Sequence, residues 1–279
     1  MTSRFARHYL SVIGLKDAIM KLIKRIAVGI LSILGMSTLF WILFLLNPSL
    51  SYAHQTKFGQ VTVFHNQELE KETASVIEDA LEIIQKSKLY DEGLQLELCL
   101  NDDEIYPNLN VLVGQSIAYA LFNKVIIKNC EAEFSQNMAE FQWAINDHET
   151  RRYNLTWLLA HEFTHSLQYH AHAGYVIKST LGKFNWKLEG HAEYISRQFT
   201  HDRRLKDKIL KYREEANKEH LGIPVFELED GTKQSLSYYK YALLVQYLME
   251  EKKLDFMAIC ELETELAALY QEMIVWSES

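Results

Sequence analysis

Cysteine, proline and glycine are all scarce in this chain: three, three and 11 of 279 residues. Three thiols cannot build the dense disulfide framework of a small secreted scaffold, and Cys99, Cys130 and Cys260 lack the paired spacing of a structural zinc knot. Two readings of them stay open, a Cys99–Cys130 bridge or buried free thiols. After residue 53 the only prolines are Pro107 and Pro224, and no Pro-, Gly- or Ser-rich linker or internal repeat interrupts the chain. That absence excludes an array and favours one domain with a sizeable core over residues 54–279. Positive charge is also in deficit, with 29 Lys and Arg against 37 Asp and Glu, a formal net charge of −8. An acidic balance of this kind argues against a nucleic-acid partner.

One stretch lacks charge altogether. Ile26 to Leu46 is a 21-residue apolar run, and at about 1.5 Å per helical residue it is long enough to cross a hydrocarbon core of about 30 Å. Arg4, Arg7, Lys16, Lys21, Lys24 and Arg25 precede it against Asp17 alone, and no charged residue follows until Lys57. The asymmetry predicts a cytoplasmic segment over 1–25, a transmembrane signal-anchor or signal peptide over 26–46, and an outward-facing domain over 54–279. Residues 1–53 carry six basic and one acidic side chain, a balance of +5, which leaves −13 for residues 54–279. The outer domain is therefore not drawn electrostatically to anionic lipid. A run of 21 residues exceeds the ordinary apolar core of a signal peptide, which favours a retained anchor. Ser51-Tyr52-Ala53 nevertheless offers the small residues of a cleavage site, with a secreted product if cleavage follows Ala53. Met20-Lys-Leu-Ile-Lys-Arg makes a more ordinary amino-terminal region and marks an alternative start. A bacterial cell surface or periplasm is the natural setting.

The chemistry is concentrated in Trp157-Leu-Leu-Ala-His161-Glu162-Phe-Thr-His165-Ser-Leu-Gln, a helical pattern containing His-Glu-x-x-His. Residues four apart lie on one helix face, so the imidazoles of His161 and His165 can reach one ion. Glu162, beside the first ligand, is placed to take a proton from a metal-activated water. Catalytic zinc takes three protein ligands and leaves a position open. Downstream, Trp186-Lys-Leu-Glu189-Gly190-His-Ala-Glu193-Tyr194 puts two carboxylates on one face of a helix predicted over 186–200. One can bind metal while the other accepts a hydrogen bond from a ligand imidazole. His170, His172 and His191 are expected to be surface or supporting groups; His191 points about 200° away from Glu189 on a helix.

This pair of elements resembles the gluzincin zinc peptidases, specifically the minimal peptidase MA-like group, in which a His-Glu-x-x-His helix is followed by a helix carrying Glu-Gly-x-Ala-x-Tyr. The resemblance covers residues 157–194. It implies a zincin-like α+β metallopeptidase fold, Zn²⁺ held by His161, His165 and Glu189, Glu162 as base, and Glu193 orienting a ligand histidine. It also implies a later helix in which a Tyr stands ten residues before the Leu of a Tyr-Leu pair; counting back from Leu248 gives Tyr238 as oxyanion stabiliser. The alternative for Tyr238 is amphipathic packing beside Tyr239 and Tyr241. The metzincin pattern fails, because Gln168 and Ala171 stand where Gly and His are required, and inverted His-x-x-Glu-His is absent. The Gly-x-Met-Glu-Asn element of the large aminopeptidases is absent too, so endopeptidase action on a peptide or protein substrate is expected. The rival expectation is a membrane-tethered binding module with a structural zinc, against which an intact Glu162 speaks.

Alternation and periodicity predict strands over 60–65, 94–100 and 124–130 and an amphipathic helix over 68–89 with Ala74, Ile77, Leu81 and Ile84 inward. Helical patterns follow over 203–220, 235–250 and 254–276. Asn154 is the expected N-cap of the His161 helix, and Gly174 and Gly182 are expected to mark the irregular connection to Glu189. By the resemblance, Lys124 to Cys130 is the edge strand along which an extended substrate lies.

Overall fold

The computed structural model describes residues 2–100, 117–127, 130–142, 150–180, 185–197, 204–217, 225–227 and 233–279. Pro107, Gly182 and Pro224 lie outside the described residues. The chain forms two compact units, residues 1–51 and 52–279.

The first unit is helix α1 (Thr2–Leu46) and a 3-10 turn at Pro48–Leu50. Within α1, Met20–Phe44 is long and apolar enough to cross a membrane. Within it the Thr38 hydroxyl donates to the Leu34 carbonyl at 2.9 Å, so this donor is paired on the apolar surface. Pro48, which cannot continue the ladder of backbone donors, stands where the helix has given way to the turn.

The second unit begins with a strand that the alternation did not reveal. β1 (His54–Phe58) turns through Gly59 and Gln60 into β2 (Val61–His65), its antiparallel partner. Gly59 takes a φ of +56°, the left-handed conformation that a tight hairpin needs and that only glycine adopts without cost. β2 pairs in parallel with β3 (Leu96–Leu100), which pairs in parallel with β5 (Lys124–Ile127); β4 (Ala118–Leu121) closes the sheet antiparallel to β5. The order is β1-β2-β3-β5-β4. The predicted strand over 124–130 is therefore paired on both sides over Lys124–Ile127, and the open edge belongs to β4. Four consecutive buried residues, Lys124 to Ile127, are what an interior strand requires. The one charge among them is answered by Glu97, directly opposite, at 2.9 Å.

Helix α2 (Thr73–Ile84) covers this sheet with Val76, Ile77, Ala80, Leu81 and Ile84. It is shorter at both ends than its apolar pattern. Upstream, the Glu70 carboxylate accepts from the backbone N–H groups of Phe134 and Ser135 at 3.0 and 2.9 Å, which holds residue 70 in a loop. Downstream, Lys86 and Ser87 tighten into three-residue hydrogen bonds to Ile83 and Ile84. Cys99 is a buried free thiol, so the alternative of a bridge to Cys130 is not realised.

A second, antiparallel sheet of β6 (Cys130–Glu133), β7 (Met138–Gln142) and β8 (Thr150–Asn154) leads directly into α3 (Leu155–Thr180). α4 (Trp186–Ser196), α5 (Leu205–Asn217), a small hairpin of β9 (Val225–Glu227) and β10 (Lys233–Ser235), α6 (Leu236–Glu250), α7 (Phe256–Glu261) and α8 (Leu266–Glu278) follow. The pattern over 254–276 is thus two helices: α7, capped at its start by Asp255 through the Ala258 N–H, ends at Glu261, and α8 begins at Leu266. Gly174 lies inside α3; the break in that helix is at His172, with φ −142° and ψ 44°.

Two apolar clusters organise the unit. One joins the five-stranded sheet to α2 and to Leu155, Leu159, Phe163 and Leu167 of α3. The other is helical, built by α5, α6 and α8 around Ile209, Leu244, Tyr247 and Met273. Helix α4 lies between them: Ile195 belongs to the first, Trp186 packs on the second, and Tyr194 touches both.

Candidate metal centre

Helix α3 starts at a doubly fixed end. Asn154 accepts from the Trp157 N–H at 3.0 Å, the expected N-cap. Asn137, in the left-handed region at φ 53°, adds a second clamp: its side-chain oxygen accepts from the Thr156 N–H at 2.8 Å and its carbonyl from the Leu155 N–H at 3.0 Å. About two and three turns inward stand His161 and His165.

Helix α4 crosses α3 with its own cap, Asn185, which accepts from the Lys187 N–H at 3.0 Å. Its approach to α6 is set by Gly190: a β-carbon there would lie 2.6 Å from the Tyr241 carbonyl oxygen and 2.9 Å from Val245 Cγ2. Only glycine lets the backbones come so near. This contact carries Glu189 into line with the two histidines.

The donor atoms form a near-equilateral triangle. His161 Nε2 and His165 Nε2 are 3.1 Å apart, and each is 3.4 Å from Glu189 Oε2. Tetrahedral zinc with bonds of about 2.1 Å has ligand–ligand edges of about 3.4 Å, so the triangle fits the ion's coordination shell. Among the described residues this is the group of His, Cys, Asp and Glu side chains that could hold a metal. Its charge points the same way. Glu162, Glu189 and Glu193 gather at the two imidazoles and Arg197 pairs with Glu193, so with neutral imidazoles these groups carry an excess of two negative charges that a divalent cation would balance.

Burial would raise the Glu189 carboxyl, but His165 and His161 outweigh it and hold the pKa well below the usual carboxylate range. Burial would lower His161, yet Glu189 and Glu193 carry it well above the ordinary histidine value. Both shifts express one demand for positive charge between these side chains. Glu162 is also buried, and burial prevails over the pull of His161 and His165 to raise its pKa, the direction a proton acceptor near neutrality needs.

Each imidazole is backed on its other nitrogen. His161 Nδ1 lies 3.3 Å from Oε1 of Glu193, the residue expected to orient a ligand histidine. Glu193 is itself held by Arg197 Nε at 2.7 Å and by the Gln234 amide of β10. Burial opposes ionisation of Glu193, but Arg197 and His161 bring it down to about 2. His165 Nδ1 meets Gln168 Oε1 at 2.9 Å. Sequence reasoning missed Arg197, Gln168 and Gln234. The spacing of Gln168, three residues after His165 on the same helix, was a usable signal; nothing in the local pattern linked Gln234 to Glu193, 41 residues earlier.

His170, His172 and His191 stay outside the triangle. His170 pairs with Asp91 at 2.8 Å. His172 and His191 pack on Phe256, with ring centroids 5.9 and 4.3 Å away. Burial first, then His165 and His172, depress the His191 pKa to about 3, so it is neutral at ordinary pH.

Tyr238, at the start of α6, stands with its ring centroid 6.3 Å from that of His161. Burial, then the Glu189, Glu193 and Glu162 carboxylates, push its hydroxyl pKa well up, so it keeps its proton. All six residues singled out from the sequence, His161, Glu162, His165, Glu189, Glu193 and Tyr238, are thereby gathered at one place. The edge strand β4 packs against α3.

A family model described as collagenase, a zinc metallopeptidase family, matches residues 130–273, just over half of the chain and every residue of this centre. No curated protein and no solved structure matches.

Proposed function

The chain belongs to the collagenase family of zinc metallopeptidases, and from that premise we propose that it is a membrane-anchored, extracytoplasmic endopeptidase of gluzincin type. The observation that carries the reading is the 3.1, 3.4 and 3.4 Å triangle of His161, His165 and Glu189 donor atoms with the buried Glu162 carboxylate beside it. His161, His165 and Glu189 are the residues that would hold zinc. Zinc, when bound, acidifies a coordinated water to a pKa of about 7 and polarises a carbonyl.

The protein's own groups do the rest. Glu162 takes the proton of the attacking water on its carboxylate, and its raised pKa lets it pass that proton to the leaving amine. Tyr238, held protonated, donates its hydroxyl to the developing oxyanion. Glu193, fixed by Arg197 and Gln234, keeps His161 oriented without touching substrate. An extended peptide would pair with the open edge of β4 (Ala118–Leu121), replacing the Lys124–Cys130 edge expected from the sequence. The 25-residue apolar segment Met20–Phe44 supports the anchor, and the basic residues before it support an outward-facing catalytic unit.

The test is Glu162→Gln in the full chain, assayed on a proteome-derived peptide mixture. Zinc content should match the parent while chelator-sensitive cleavage falls by about 10²-fold or more, as for loss of a general base. Cleavage at the parental rate would remove Glu162 from the role of base.

A further inference from the structure

We infer that Gln168 is a positioning residue whose single amide sets the tautomer of His165 and, at the same time, the placement of Glu189. The inference deepens the zinc reading above and rests on it.

Gln168 is fully buried on α3 and bonds in three directions. Its Nε2 donates to the Leu188 carbonyl at 3.0 Å and faces His191 Nδ1 at 3.1 Å, while its Oε1 meets His165 Nδ1 at 2.9 Å. A backbone carbonyl can only accept, so the NH₂ end of the amide must be the one at Leu188. The second amide proton is then directed at His191 Nδ1, which accepts it, and His191 carries its own proton on Nε2. Only Oε1 remains for His165. A carbonyl oxygen accepts, so His165 is protonated on Nδ1 and presents the lone pair of Nε2, the atom that lies 3.4 Å from Glu189 Oε2.

The same amide therefore grips the carbonyl of the residue preceding Glu189 and the back of the second histidine. It ties α3 to α4 at the level of the donor triangle. The two imidazoles are backed differently: His161 by the Glu193 carboxylate, His165 by a neutral group. Neither a carboxylate nor an apolar side chain meets the demands at position 168. A carboxylate would accept from His165 but repel the Leu188 carbonyl, and would add a fourth acidic group to Glu162, Glu189 and Glu193. An apolar side chain of the same length would leave the buried His165 Nδ1 and Leu188 carbonyl without their partner.

The experiment compares the full chain in detergent micelles with Gln168→Met and Gln168→Glu. The readouts are the His165 tautomer from long-range ¹H–¹⁵N spectra of ¹⁵N-histidine-labelled, metal-free protein, recorded at a pH high enough that both imidazoles are neutral, and zinc affinity by competition with a chelating dye. In the parent, His165 should be in the Nδ1–H form. In Gln168→Met it should shift toward Nε2–H, and zinc affinity should fall about 10- to 100-fold, the usual effect of losing a group that orients a metal ligand. Gln168→Met that keeps the Nδ1–H form and binds zinc as tightly as the parent would overturn the inference. Should Gln168→Met fail to fold, Gln168→Glu decides: retained Nδ1–H with weakened zinc supports the inference, and either loss of Nδ1–H or parental zinc affinity overturns it. A folded parent that takes up no zinc would instead overturn the zinc reading itself, a result visible before any substitution is made.

Discussion

Gly190→Ala tests the packing that brings the metal centre together. The added methyl would stand 2.6 Å from the Tyr241 carbonyl oxygen, 2.9 Å from the Tyr241 carbonyl carbon and 2.9 Å from Val245 Cγ2. Two of these are backbone atoms of α6, so no side-chain rotation relieves them. Ordinary carbon–carbon contact is about 3.5–4.0 Å, and α4 and α6 must separate by a sizeable fraction of an ångström. Such overpacking costs about 1–3 kcal/mol, while alanine recovers about 1 kcal/mol of helix propensity over glycine. The strain involves backbone on both helices and should sit at the upper end, leaving a net loss of about 1–2 kcal/mol. Because Glu189 precedes the contact by one residue, its carboxylate should also move off the His161–His165 pair and zinc affinity should fall. Urea denaturation of metal-free protein, followed by circular dichroism, gives the stability, and dye competition gives the affinity. A Gly190→Ala protein that is as stable as the parent or more so would refute the close-approach argument, since propensity alone would then be operating.

Other substitutions probe separate links. Asn137→Ala removes the side-chain oxygen that accepts from both the N–H and the hydroxyl of Thr156 at the start of α3, and a left-handed turn residue, and should cost about 1–2 kcal/mol, more than the roughly 1 kcal/mol of Asn154→Ala; denaturation midpoints rank the two. Arg197→Met leaves the buried Glu193 carboxylate without its guanidinium and should destabilise by about 3 kcal/mol or more, measured as a loss of thermal midpoint that a buried-pair account requires and an exposed-pair account does not. Cys99 and Cys260 are buried, and burial raises both thiol pKa values, Cys260 to about 11. Alkylation read by peptide mass spectrometry should therefore be slow at both until denaturant is added, whereas rapid native labelling of Cys99 would contradict its place inside β3. Saturating zinc at about 100 times its Kd should stabilise the folded chain by about 2.7 kcal/mol, and a chelator should return the thermal midpoint to the metal-free value.

The parts of this site that were legible in the sequence are those fixed by local geometry. His161 and His165 share a face because four residues make about one turn, and Glu189 and Glu193 do so for the same reason. Asn154 could be read as a cap because capping is local. The strand edge could not. Lys124–Ile127 has the composition of a strand, but whether a strand is interior or at an edge depends on where β4 returns, a matter of tertiary pairing. β1 was missed because its exposure pattern does not alternate strongly; its pairing with β2 through Gly59 defines it. The helix over 68–89 was overextended because Glu70 spends its carboxylate on residues 134 and 135, a contact across more than sixty positions. Gln168 illustrates the middle case: it was visible as a departure from another zinc pattern, but its role emerges only when Leu188 and His191 are brought against it.

The central claim is that His161, His165 and Glu189 form a three-ligand zinc site. Metal analysis of the purified full chain beside its Glu189→Ala variant tests it most directly. The account predicts about one zinc per folded parent chain and a clear loss or weakening in the variant, as expected for a catalytic site with three protein ligands. A folded parent that contains no zinc would contradict it, and zinc bound equally well by Glu189→Ala would contradict the assignment of the third ligand.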